Sequence, residues 1–188
     1  MAFFLPIAAS VYGQFRQTGK IDMKSSERYP ATPATRALAK AGIAFTTYIY
    51  DYDYDGADGR LGMHAAAAIG LPADRVFKTL LAEVDGTGMC AIVPVDRVLS
   101  MKRLAAAVGG KSAIMMQPDK AEKMTGYHVG GISPFGHRRP VRAALDESAL
   151  EQPLIVVNGG KRGFLIGLSP QDALEVLDAV VAPLCAET

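Results

Sequence analysis

The stretch "VFKTLLAEVDGTGMCAIVPV", residues 76–95, decides the fold. Residues 76–84 and 89–95 are rich in β-branched and other apolar side chains, and the "DGTG" between them is turn chemistry. The pattern reads as two strands joined by a hairpin. Upstream, "TPATRALAKAG" carries the signals of a helix. Thr32 suits the N-cap, Pro33 the first helical position and Gly42 the C-terminal cap.

Residues 45–50, "FTTYIY", read as a strand, and an Ala-rich helix follows from Leu61 to Ile69, closed by Gly70. Downstream, Ser100 caps a helix through Val108, "SAIMM" (112–116) is a short strand, and Pro118 opens a helix to about Met124. "PLIVVN" and "GFLIGL" flank the turn "GGKRG" (159–163) as a second hairpin. Ser169 and Pro170 start a last amphipathic helix, "QDALEVLDAVV" (171–181). Hairpins mixed with helices in irregular order predict one compact α/β domain, a mixed sheet with helices packed around it.

The totals agree. A chain of 188 residues is long enough to bury a real core, and a formal net charge of +1 creates no global field for nucleic acid. Cys90 and Cys185 lie far apart without a Cys-x-x-Cys pairing, which argues against a disulfide scaffold and fits a reducing cytoplasm. No apolar run approaches the ~20 residues of a membrane span. The first 30 residues lack the basic n-region of a signal peptide and are read as a poorly ordered leader.

Lys78 is the anomaly in the first hairpin. Alternate residues of a strand share a face, so Lys78 points the same way as Val76, Leu80, Ala82 and Val84. A lysine there must snorkel out, find a counter-charge, or lose on the order of several kcal/mol to desolvation. A snorkelling stem and an ammonium aimed into a cleft to receive an anion are equally consistent with the pattern.

A second anomaly is "TGYHVGGISPFG", residues 125–136, which has four glycines and no acid or thiol. A site working through peptide N–H and C=O groups has this composition, and so does an irregular turn. Asp51, Asp53, Asp55 and Gly56 match the opening of a calcium loop, but Gly62 stands where its bidentate Glu belongs, so a solvated turn is the simpler reading.

His64, His128 and His137 fall at no metal-ligand spacing. His64 reads as a partly exposed helix residue, and surface roles are expected for the other two. Cys90 reads as inert strand packing. "NGGKRG" (158–163) lacks phosphate-loop spacing, although Lys161 and Arg162 could meet a phosphate.

The segments "TPATRALAKAGIAF", "YDYD", "VFKTLL", "TGYHVGGISPFG" and "NGGKRG", in this order, resemble the YbaK/EbsC family of aminoacyl-tRNA editing domains, related to the insertion domain of bacterial prolyl-tRNA synthetases. The likeness spans residues 32–181, and its nearest branch is the free-standing Cys-tRNA(Pro) deacylases. It implies an α+β domain over residues 31–186 with a barrel-like mixed sheet surrounded by helices. It further implies hydrolysis of the ester joining a mischarged amino acid to the 3′-terminal adenosine of tRNA, without cofactor, metal or membrane, in the cytoplasm, with prolyl-tRNA synthetase as a candidate partner.

By the same resemblance Lys78, Tyr50 and Gly130 are the catalytic positions. Lys78 would hold the terminal phosphate and sugar, and the Gly130 carbonyl would contact the substrate. Thr79, Gly131, Ile132, Ser133, Asn158 and Gly159 would complete the binding site. Such sites use no protein nucleophile, and in the cysteine-specific branch the substrate's own thiol attacks its ester. This chain departs from the pattern in two places. Asn158 stands where many relatives carry Ser, and residues 164–168 lack the acid often found there. Cys-tRNA(Cys) is a second candidate substrate, and an Ala- or Ser-specific deacylase and a non-catalytic tRNA- or synthetase-binding module are the alternatives.

Overall fold

The computed structural model describes residues 29–52 and 60–187. The leader up to residue 28, together with Asp53, Asp55 and Gly56, therefore lies outside the described residues. The central hairpin pairs β2 (Phe77–Val84) with β3 (Thr87–Pro94), antiparallel. Its turn is tighter than the four residues expected. Asp85 and Gly86 alone make it, at φ 47° and 82°, the conformation that matches the right-handed twist of the flanking strands. The Asp85 carboxylate accepts hydrogen bonds from the Lys111 and Ser112 amides at 2.8 and 3.0 Å, which fixes the turn against the next loop.

Apolar residues fill both faces of the hairpin. Phe77, Leu81, Cys90 and Ile92 pack on one side with Leu145, Phe164 and Ile166. Ala82, Val84, Met89, Ala91 and Val93 pack on the other with Leu104, Ala144 and Leu184. A strand covered on both faces reads as a continuous apolar run rather than an alternation, and each fully buried large side chain contributes roughly 1.5–3 kcal/mol.

The hairpin sits inside a five-stranded sheet of order β4-β2-β3-β5-β8, with β4 at Ala113–Met115, β5 at Arg142–Asp146 and β8 at Val180–Ala182. β5 lies parallel to β3 and β8 parallel to β5. Neither β5 nor β8 is expected from the sequence. The last helix (α5, Pro170–Leu177) is shorter than the predicted run because Asp178 adopts φ 47° and ends it, which frees Val180 and Val181 to pair with β5. The buried Asp146 carboxylate, at the end of β5, accepts from the Leu184 and Cys185 amides and holds the final segment down.

The second sheet has order β1-β7-β6, formed by Thr46–Ile49 (β1), Phe164–Leu168 (β7) and Ile155–Lys161 (β6), all antiparallel. The predicted "GGKRG" turn is largely strand. β6 continues through Gly159 and Gly160 as a bulge, leaving Arg162 and Gly163 to turn the chain. A parallel bridge between Val76 and Val156 joins the two sheets. The predicted α/β domain with helices around mixed strands is the fold observed.

The remaining helices are α1 (Pro33–Lys40), α2 (Leu61–Ala68), α3 (Met101–Ala107) and α4 (Pro118–Thr125). Thr32 and Ser100 accept at the caps of α1 and α3 as predicted. The Thr32 hydroxyl also donates to the Gly159 carbonyl at 2.6 Å, docking α1 on the bulge. Among the described residues no helix is long and apolar enough to cross a membrane.

Candidate functional site

β4 pairs with β2 only from Ala82 to Val84. Among the described residues no strand pairs with that edge of β2 between Lys78 and Leu80, and a cavity of about 340 Å³ runs beside it. This placement explains how successive residues of one strand, Lys78 and Thr79, both reach the same space although their side chains leave opposite faces. The walls are largely apolar, formed by Val76, Leu81, Met116, Ala121, Ile132 and Leu165 among others. Tyr50, Gly130 and Asn158 complete the polar inventory.

Lys78 Nζ donates to the Val95 carbonyl at 3.3 Å and the Arg97 carbonyl at 2.6 Å, in the segment that follows β3. The ammonium is thus held by backbone oxygens rather than locked to a carboxylate. Its half-burial lowers its pKa below the ordinary lysine value, partly opposed by Cys185 and Asp96 nearby. Lys78 is among the residues that line the cavity, and its ammonium is taken up by the two carbonyls at the rim.

Thr79 Oγ1 is the one buried side-chain oxygen or nitrogen without a partner among the described residues. An orphaned hydroxyl inside a protein costs about 1–3 kcal/mol. The oxygen is sealed from solvent, so Thr79 lines the cavity with other atoms of the residue. Tyr50 follows directly after β1, its N–H bonded to the Gly163 carbonyl at 3.0 Å and its ring beside those of Tyr52 and His64. Burial, with Tyr52 adding to it, raises the Tyr50 pKa, so the phenol remains a proton donor at neutral pH.

The glycine stretch supplies backbone to the same wall. α4 ends at Gly126 with φ 81°, and the chain then folds over the cavity. Val129 is held at both ends, its N–H donating to Glu122 at 2.8 Å and its carbonyl accepting from Arg162 Nη2 at 2.7 Å and Nε at 3.1 Å. Arg162 also lies over the Tyr52 ring, 5.5 Å from its centre. The guanidinium is therefore already engaged in holding the loop, a role the phosphate reading of this residue did not include.

Gly131, Ser133 and Gly159 do not line the cavity. Ser133 is fully buried, accepting from the Phe135 amide. Gly159 is a packing position, where an added Cβ would lie 2.4 Å from the Phe164 ring. Gly62, awkward for a calcium loop, has a reason of its own. A Cβ there would meet Val95 at 2.5 Å, so glycine lets α2 close against the cavity rim. The rim residues Gly62, Met115, Pro118 and Val129 carry no sequence signal of their role, since each reads locally as an ordinary turn, strand or helix residue. On β7 it is Leu165, not an acid, that faces the cavity.

Of the histidines, His64 is half-exposed on α2 and His128 bonds Glu122 at the surface, both in accord with the sequence reading. His137 corrects it. Its ring is half-buried against Tyr127, and Nε2 donates to the Ser133 carbonyl at 2.7 Å. Burial holds its pKa below the ordinary histidine value, with the Ser133 bond working in the other direction. The unfolded chain then binds the proton more readily than the folded one, so stability falls as pH drops through the ordinary histidine pKa toward the lowered one. The urea midpoint should decline between about pH 7.5 and 5.5, and His137→Gln should flatten that slope. A slope unchanged in the variant would assign it elsewhere. Cys90 is buried with its thiol pushed up to about 12 by burial, inert as predicted.

The model of the aminoacyl-tRNA editing domain matches residues 63–176. A protein of Enterococcus faecalis assigned as the Cys-tRNA(Pro)/Cys-tRNA(Cys) deacylase EbsC is 32% identical over 163 residues, 86% of this chain and 98% of its own. A proline–tRNA ligase of Nitratidesulfovibrio vulgaris is 31% identical over 107 residues, 57% of this chain and 17% of the ligase. A crystal structure described as a trans-editing enzyme for prolyl-tRNA synthetase superposes with a TM-score of 0.72 at 26% identity, covering 85% of this chain and all of that one.

Proposed function

The chain belongs to the aminoacyl-tRNA editing domain family, and from that premise we propose that it is a free-standing deacylase that removes cysteine from mischarged Cys-tRNA(Pro). The names of its relatives support the substrate, and residues 31–186 form the editing domain. One observation carries the mechanism. Among the described residues lining the cavity there is no carboxylate, histidine, cysteine or serine. A pocket whose hydroxyls, on Thr79 and Tyr50, have no carboxylate or histidine base beside them in the lining orients a reactant that supplies its own nucleophile.

The substrate thiol does so. Its sulfur bonds to the ester carbonyl carbon, the bond to the ribose oxygen breaks, and the thiol proton passes to that leaving oxygen. The products are free tRNA and a four-membered cyclic thioester, which water opens to cysteine. Holding sulfur and carbonyl carbon in contact replaces a bimolecular encounter, an effect that supplies several kcal/mol of the barrier. Lys78 binds the terminal phosphate and sugar, Thr79 helps to wall the aminoacyl pocket, and the Gly130 peptide forms the opposite wall.

The test is a panel of tRNA(Pro) charged with Cys, Ala, Ser and Pro. Cysteine should be released at least about tenfold faster than alanine, which differs by the one group that performs the attack. Equal release of alanine and cysteine would reject the thiol mechanism in favour of a small-residue deacylase. No release of any amino acid would favour a binding module. A net charge of +1 provides little phosphate attraction, so prolyl-tRNA synthetase in the cytoplasm is the partner that would supply tRNA selectivity.

A further inference from the structure

Asn158 reaches the cavity from the bulge in β6, and both ends of its carboxamide are engaged. Oδ1 accepts from the Gly160 N–H at 2.7 Å, while Nδ2 donates to the Gly130 carbonyl at 3.2 Å. Gly160 N–H can only donate and the Gly130 carbonyl can only accept. The reversed amide would set donor against donor and oxygen against oxygen, so the network itself fixes the orientation.

The peptide that contributes the Gly130 carbonyl contributes the Gly131 N–H at its other end. That N–H donates to the His128 carbonyl at 2.9 Å. The peptide plane is consequently pinned on both sides. Pinning matters here because a Gly-Gly peptide has no Cβ on either flank to resist rotation, and Gly130 already sits at φ 85°. Released, such a plane turns its carbonyl away from the cavity with little steric opposition.

We propose that Asn158 is a positioning residue that fixes the direction of the Gly130 carbonyl at the cavity wall. The inference rests on the deacylase reading for its consequence and on geometry alone for its cause. No carboxylate lines the cavity among the described residues, so an aminoacyl ammonium entering it must be received by neutral oxygens. A carbonyl has two acceptor sites. Asn158 occupies one and thereby aims the other. Arg162 holds the preceding carbonyl, Val129, from the same hairpin, so two successive peptides of the loop are set by side chains of one β-hairpin.

The decisive variant is Asn158→Asp. An ionised aspartate keeps the acceptor for Gly160 N–H, and so the bulge, but presents a second oxygen to the Gly130 carbonyl in place of a donor. At pH 8 its kcat/KM for Cys-tRNA(Pro) should fall at least about tenfold relative to the parent. The ratio should climb back toward one as pH is lowered to about 4, the ordinary aspartate range, because a protonated carboxyl again donates to Gly130. Hydrogen exchange should show at least about tenfold less protection of the Gly131 amide in the variant at pH 8.

Unchanged kcat/KM together with unchanged Gly131 protection would overturn the proposal. So would a loss that is the same at every pH and tracks a lowered Tm, since that is the mark of a purely structural residue. Should the parent protein release no amino acid from any tRNA, the deacylase reading fails separately, and Gly131 protection still decides whether Asn158 pins the peptide.

Discussion

Lys78→Ala should lower kcat/KM for Cys-tRNA(Pro) by at least about 100-fold, equivalent to roughly 2.7 kcal/mol of transition-state binding. Lys78 is the only cation among the described residues that line the cavity, and the substrate presents a terminal phosphate beside its reacting ester. A charged donor on a phosphate is roughly twice as strong as a neutral hydrogen bond. In the proposed role it would also anchor the part of the substrate that does not react, which is where an orienting pocket draws its binding energy. The two carbonyls that hold the ammonium in the free protein, Val95 and Arg97, fix where its charge waits without neutralising it.

Lys78→Arg should fail almost as badly, because a planar fork cannot occupy the position of a compact ammonium between those carbonyls. Since burial lowers the Lys78 pKa, the cation is lost as pH rises through a value below that of an exposed lysine, and activity should fall on that limb. Single-turnover deacylation beside circular dichroism makes the check. Equal rates for the parent and Lys78→Ala, both folded, would remove the assigned site.

Gly130→Ala should cut kcat/KM by about tenfold or more, through strain in the loop rather than by filling the pocket. In the structure an added Cβ would lie 3.0 Å from Arg162 Nε and 3.3 Å from the Tyr52 hydroxyl, against the residues that clamp the loop. Gly130 also sits at φ 85°, where an L-residue costs roughly 1–2 kcal/mol. The methyl therefore acts through strain and by prising Arg162 from the Val129 carbonyl. The variant should lose stability in urea as well as activity. A variant with normal kinetics and a normal urea midpoint would show that the loop tolerates a second conformation, and the case for a rigid peptide wall would end.

Much of this molecule is legible in its residues because much of it is local. Thr32, Ser100 and Ser169 accept at the helix caps they announce, a matter of neighbours three residues apart. Asp85 and Gly86 fold the central hairpin because they tolerate positive φ, and the apolar runs beside them have no other economical place than between two cores. Lys78 stands out because charge on such a face is expensive wherever the strand is placed.

The tertiary structure decided what depends on distant pairing. β5 and β8 are short segments that become strands only because β3 and then β5 offer them a free edge, and parallel partners lie far apart along the chain. The cavity exists because β4 stops short along β2, a fact written in neither strand alone. Tyr50, Thr79, Gly130 and Asn158 are separated by up to 108 residues, and only the closing of two sheets on one unpaired edge gives them a common space. Local sequence fixes backbone preference; which strand edges remain unpaired is a property of the completed packing.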